Sequence, residues 1–156
     1  MKITSWRMVQ SGRAASAFTG EGAKIYPGRW NYRGVPMVYT AGTLSLVALE
    51  MLVHLESVEI LNRYINLPVR FDERLCRVLS PKDLPKGWAE DPAPFSARDI
   101  GSDWVKSKQS AALAVPSAVV QTEMNYLINP NHPDFRKIKI GPAGKFQFDP
   151  RLLKQK

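Results

Sequence analysis

From residue 43 to 57 the apolar residues Leu44, Val47, Ala48, Met51, Leu52 and Leu55 recur at three- and four-residue steps. That repeat stacks side chains on one face of an α-helix. Leu46, Leu49 and Val53 fall roughly opposite, which predicts a helix wrapped by protein nearly all round, with Glu50 in its middle and His54 one turn later. Elsewhere the pattern predicts strands over residues 2–10, 35–40, 63–71, 75–79 and 111–120. The Gly-, Ala- and Ser-rich segment 11–24 reads as a loop or short helical turn. Residues 80–95, interrupted by Pro81, Pro85, Pro92 and Pro94, read as an irregular connection. Ser96 and Asp99 have capping-box spacing before a short polar helix over about 97–109. Residues 125–134, rich in Asn and Pro, read as a loop, and 137–140 with 145–148 as a terminal hairpin across the turn 141–144. The fold class expected is α+β, a single domain over residues 1–156 in which strands dominate.

Composition agrees with one packed domain: 156 residues, 44% apolar and 23% charged, can bury a core without staples. The first thirteen residues have no apolar signal core, and the most apolar run, 44–55, is interrupted by Glu50 and His54. No secretion signal or membrane span is expected. One cysteine, Cys76, rules out an intramolecular disulfide and a cysteine-built zinc site. The cytoplasm is the expected compartment.

A net charge of +8 raises the question of nucleic acid, and its distribution bears on the answer. Residues 136–156 hold seven basic side chains against Asp149 alone, so that segment carries +6 of the total. No helix-turn-helix, RNA-recognition or zinc-finger pattern accompanies it. Direct nucleic-acid binding is therefore not expected, although a basic nucleic-acid-binding module stays as an alternative of another class.

The chemistry concentrates at Glu50. Burial favours the neutral carboxyl, so an anion at that position requires cationic or hydrogen-bonding neighbours. The alternative is that Glu50 reaches a solvent gap or pairs with a structural arginine. His54 has a plain reading as a packing histidine, and Glu50 with His54 lacks a third ligand, so no metal is expected. No P-loop, dinucleotide-binding glycine motif or nucleophile elbow occurs.

Five motifs in order, S-W-R at 5–7, G-E-G-A-K-I-Y-P-G-R-W-N at 20–31, G-V-P-M-V-Y-T-A at 34–41, A-L-E-M-L-V-H-L at 48–55, and V-P-S-A-V-V at 115–120 followed by M-N-Y-L-I-N-P-N-H-P-D-F at 124–135, strongly resemble the RES-domain family. The resemblance covers about residues 6–135 and leaves the basic segment 136–156 without a role. The arginine, glutamate and serine that give the family its name match Arg29, Glu50 and Ser117. The resemblance implies an ADP-ribosyltransferase-like fold of mixed sheets with peripheral helices. It also implies a toxin of a bacterial toxin–antitoxin pair that consumes NAD+ as substrate, needs no cofactor, and arrests growth. The implied partners are an Xre-type antitoxin that covers the active site and, by analogy, a second toxin copy.

Carried over by position, Glu50 would hold the ribose hydroxyls and the developing positive charge. Arg29 would engage phosphate or ribose oxygens and help keep Glu50 ionised, Tyr39 would stack on nicotinamide, and Arg7 would be a second NAD+ contact. Ser117 and Asn125 would supply polar contacts on the opposite wall. Without the family match, Ser117 reads as a small strand residue and Asn125 as a loop cap. Trp30 reads as core and Arg33 as a solvated turn residue. Two reactions share this first half: cleavage of the nicotinamide–ribose bond by water or phosphate, and transfer of ADP-ribose to a protein.

Overall fold

The computed structural model describes residues 1–55 and 63–152. One eight-stranded mixed sheet carries the architecture. Its strands are β1 (Lys2–Gln10), β2 (Val38–Ala41), β3 (Tyr64–Asp72), β4 (Cys76–Val78), β5 (Ala112–Pro116), β6 (Met124–Ile128), β7 (Lys139–Ile140) and β8 (Gly144–Phe146). The order is β4-β5-β6-β2-β1-β3, antiparallel except for the parallel pair β4–β5. Among the described residues three α-helices accompany it: α1 (Glu21–Ile25), α2 (Leu44–His54) and α3 (Phe95–Ser107).

Register explains how the site is assembled. Trp6 lies opposite Ala41, Tyr39 opposite Leu127, and Ala41 opposite Asn125, so with a period of two these residues share one face of the sheet. On that face α2 packs Leu46, Val47 and Ala48 against Met8, Ala41 and Tyr64. Farther along, α3 packs Ala97, Trp104 and Val105 against Leu113, Val115 and Leu127. The two helices thus stand side by side on one face, with Tyr39 and Asn125 between their footings. The reverse face is covered separately: Val38, Phe71, Ala112 and Ile128 pack against Ile138 and Phe135.

Several expectations change. The strand over 35–40 begins only at Val38, the strand over 111–120 ends at Pro116, and the predicted loop 125–134 opens with strand residues, Asn125 pairing with both Ala41 and Val115. The terminal hairpin does not form. Instead β7 and β8 both add to the outer edge of β3, Ile140 opposite Val69 and Phe146 opposite Tyr64. The Ser96/Asp99 capping box is absent too: α3 starts two residues earlier, at Phe95 behind Pro94, and Asp99 accepts the Tyr32 hydroxyl at 2.7 Å. The predicted helix over 43–57 is capped by Thr43, whose hydroxyl accepts the Leu46 N–H at 3.0 Å. Its last two expected residues lie outside the described segments. The helix is not wrapped all round, because Leu49 and Val53 are exposed on its outer side.

Candidate active site

The turn at residues 27–31 is built around Asn31, a fully buried amide. Its Nδ2 donates to the carbonyls of Ala23 at 2.8 Å and Val35 at 3.1 Å, while its Oδ1 accepts the Gly28 N–H at 2.8 Å. The same oxygen accepts the Tyr39 hydroxyl at 2.6 Å, and that hydroxyl in turn accepts the Trp30 N–H at 3.1 Å. Tyr39 therefore has its hydroxyl fixed beneath the turn, and burial pushes the phenol above its ordinary pKa. Gly28 is the residue that permits this: a Cβ there would sit 2.7 Å from a Tyr39 ring carbon. Trp30 is core, stacked on Trp88 with ring centroids 6.2 Å apart, and Arg33 is exposed.

Arg29, which lines the same cleft as Glu50, is tied to the main chain as it leaves this turn. Its Nη1 donates to the main-chain carbonyls of Trp88, at 2.8 Å, and Glu90. It fastens the 80–94 connection to the turn and makes no ion pair with Glu50. Arg7 behaves similarly. Beyond the Trp6–Ala41 pair, β1 and β2 part, and the Arg7 guanidinium bridges the gap. Nε donates to the Ala17 carbonyl at 2.9 Å and Nη1 to the Tyr39 carbonyl at 3.2 Å. Burial without a carboxylate pushes this guanidinium down to about 10. Such a cation sits in surroundings that favour an anionic guest.

Glu50 is held by neutral donors. Asn125 Nδ2 donates to its Oε1 at 2.8 Å, and to the Thr40 carbonyl at 3.2 Å. Ser117 Oγ donates to Oε2 at 3.2 Å while accepting the N–H groups of Val119 and Val120. Glu50, Ser117 and Asn125, far apart in sequence, thus form one unit. Ser117 is fully buried, with its single proton spent on Glu50, and stands behind the carboxylate. Desolvation raises the Glu50 pKa above the ordinary carboxylate value, and the bonds from Asn125 and Ser117, with His54 nearby, pull against that rise.

These groups open onto a cleft of about 420 Å³ between α2 and α3, within the range of small-molecule sites. Arg7, Arg29, Tyr39, Glu50, His54 and Asn125 line it, with Arg98 of α3 and Asp91 on the side of the 80–94 connection. Three arginines and two acidic residues, Glu50 and Asp91, therefore line one cleft. Among the described residues none after Asn125 lines the cleft, so residues 136–152 of the basic C-terminal segment do not contribute to it. Sequence reasoning missed Asn31 and Arg98. Asn31 carried only the weak signal of a polar residue in a Gly-Arg-Trp turn, and Arg98 read as one more charge on a polar helix.

Comparison with known proteins bears on this arrangement. The model of the RES domain matches residues 4–149. The chain is 40% identical to Toxin Res of Yersinia enterocolitica serotype O:8 / biotype 1B over 94% of this chain and 97% of that protein. It is 42% identical to the Prs ADP-ribosylating toxin of Sphingobium sp. (strain YBL2), over 99% of each chain. Among solved structures, the M. tuberculosis MbcT–MbcA toxin–antitoxin complex matches with a TM-score of 0.73 at 16% identity, covering 97% of this chain and 87% of that one. That likeness establishes the shared fold.

Proposed function

The chain belongs to the RES-domain family, and on that premise we propose that it is the toxin of a toxin–antitoxin pair and acts by breaking the nicotinamide–ribose bond of NAD+. The observation that carries the reading is the Glu50 carboxylate, oriented by two neutral donors in a cleft whose other charges are mainly guanidinium groups. In the reaction the C1′–N bond breaks and its electron pair leaves with nicotinamide, which was cationic and departs neutral. No general acid is needed. The hard species is the oxocarbenium-like ribose, and one fixed carboxylate beside it supplies the opposing charge. Water, phosphate or a protein side chain then donates an oxygen to C1′ and releases its proton where it carries one. Arg7 and Arg29 suit the phosphates, and the Tyr39 ring suits a stack with nicotinamide.

Transfer to a protein is the second reading, favoured by the ADP-ribosylating relative. Both begin with the same bond cleavage. Incubating the purified protein with NAD+ labelled in both halves, with and without phosphate or cell extract, should release nicotinamide wherever the true acceptor is present and show where the ADP-ribose goes. Absence of nicotinamide under all conditions would overturn both readings. It would leave the basic-module alternative, which requires salt-dependent nucleic-acid binding that survives loss of Glu50. An antitoxin is the proposed partner. Exposed Leu49 and Val53 on α2, and Val119 at the cleft, offer apolar surface beside the opening.

The state of Glu50 makes the pH dependence informative. The fold raises its pKa, so the anion is lost as pH falls through a value above that of an ordinary carboxylate. The acid limb of kcat/KM should lie correspondingly high. Asn125→Ala removes a donor that favours the anion and should move this limb to still higher pH. Near neutrality the cost should be on the order of tenfold in kcat/KM, as for one charge-assisted hydrogen bond. An acid limb that stays where it is in Asn125→Ala would separate Asn125 from the ionisation of Glu50.

A further inference from the structure

Arg98 is the cleft cation whose hydrogen-bonding capacity the fold leaves unused. Arg7 and Arg29 each spend N–H groups on main-chain carbonyls. The Arg98 Nε is buried with no hydrogen-bond partner, and none of the ion pairs among the described residues includes it. The neighbouring carboxylate does not serve it: Asp99 accepts from the Tyr32 hydroxyl and makes no ion pair with Arg98. Leaving such a donor unpaired is unfavourable, because it has lost its water without gaining an acceptor.

What the fold does supply is position. The guanidinium carbon lies over the Phe95 ring one turn back, 5.9 Å from its centroid, a contact that holds the cation in place without occupying a hydrogen-bond acceptor. Three residues on, and so on the same side of α3, Gly101 presses against the backbone of Trp30. That contact fixes Arg98 relative to the turn carrying Arg29. The positive charges of both arginines also act on the Tyr39 phenol from their places around it. Arg98 and Arg29 therefore approach the same part of the cleft, whereas Glu50 enters from α2.

We propose that Arg98 binds the pyrophosphate of the dinucleotide, supplying a planar pair of donors to its oxygens from the α3 wall while Glu50 addresses the ribose. The proposal rests on the NAD+ reading given above, and it assigns Arg98 to binding the phosphates rather than to bond cleavage. It implies that the cleft distinguishes a phosphorylated dinucleotide from a bare nucleoside through α3.

The test compares the wild type, Arg98→Ala and Arg98→Lys in two assays: nicotinamide release from NAD+ and from nicotinamide riboside, which lacks phosphate, and calorimetric binding of ADP-ribose. Loss of charge-assisted bonds should raise KM for NAD+ and Kd for ADP-ribose by about tenfold or more. The kcat for NAD+ and the rate on nicotinamide riboside should stay within about twofold, and lysine should recover part of the loss. Unchanged KM and Kd in Arg98→Ala, with active wild type, would overturn the assignment alone. So would equal losses on NAD+ and nicotinamide riboside, or an alanine variant that fails to fold alongside a folded lysine variant with wild-type KM and Kd. If the wild type binds ADP-ribose through Arg98 but releases no nicotinamide, the cleavage reading falls and the phosphate site stands. No binding and no turnover by the wild type would overturn both.

Discussion

Glu50→Gln should reduce nicotinamide release by roughly 10²–10³-fold, the range found when a preorganised electrostatic stabiliser is removed from an active site, while leaving the melting temperature unchanged or higher. The two halves of this expectation come from the same geometry. Glutamine keeps the shape of the side chain, and its oxygen can still accept from Asn125, so the α2–β6 contact survives. What disappears is the charge. Because the folded protein raises the Glu50 pKa, the stabilising contribution of this group is complete below its unfolded pKa and is lost as pH rises through the folded value. Above the folded value the ionised carboxylate is thus held at some expense in stability, which glutamine relieves. Turnover and thermal unfolding measured on the same preparation check both halves. Wild-type turnover in the variant would remove Glu50 from the mechanism, and a large fall in melting temperature would show that its charge serves the fold.

The helical repeat around Glu50 made this residue legible, since a carboxylate among Leu44, Val47, Ala48 and Met51 needs a physical reason. The repeat does not say which face of the helix is covered, and so it predicts Leu49 and Val53 inside, whereas they face solvent. Asn125 misled through composition. A stretch rich in Asn and Pro reads as a loop, but the Asn125 amide is spent on Glu50 and the Thr40 carbonyl, and its backbone runs in the middle of the sheet. The terminal segments failed for a related reason: local turn signals suggested that they pair with each other, whereas the open edge of β3 accepts both. Arg29 shows the limit most clearly. Its acceptors are carbonyls at Trp88 and Glu90, about sixty positions away, and a main-chain carbonyl has no side-chain identity to read.

Gly101→Ala should be the most damaging single change outside the chemistry, destabilising the fold by roughly 3 kcal/mol and lowering the melting temperature by about 6–12 °C. A methyl group on Gly101 would overlap the carbonyl of Trp30, with the carbonyl carbon and the Trp30 Cβ each only 2.8 Å away. Neither side of this contact can yield easily. Trp30 is buried against Trp88 and its N–H is held by Tyr39, while α3 is bound at the next residue, where the Ser102 hydroxyl accepts the Tyr32 N–H at 3.0 Å. The helix must therefore move away from the turn as a unit. Movement at this point would separate Arg98 from Arg29, so affinity for ADP-ribose should fall even at temperatures where the variant remains folded. Glu50, held from α2 by Asn125 and Ser117, should keep its environment. Thermal unfolding and ADP-ribose binding separate these effects. A variant with wild-type stability would mean that the turn can shift to admit a methyl group. A destabilised variant with unimpaired binding would show that the α3–turn contact supports the fold without setting the spacing of the two arginines.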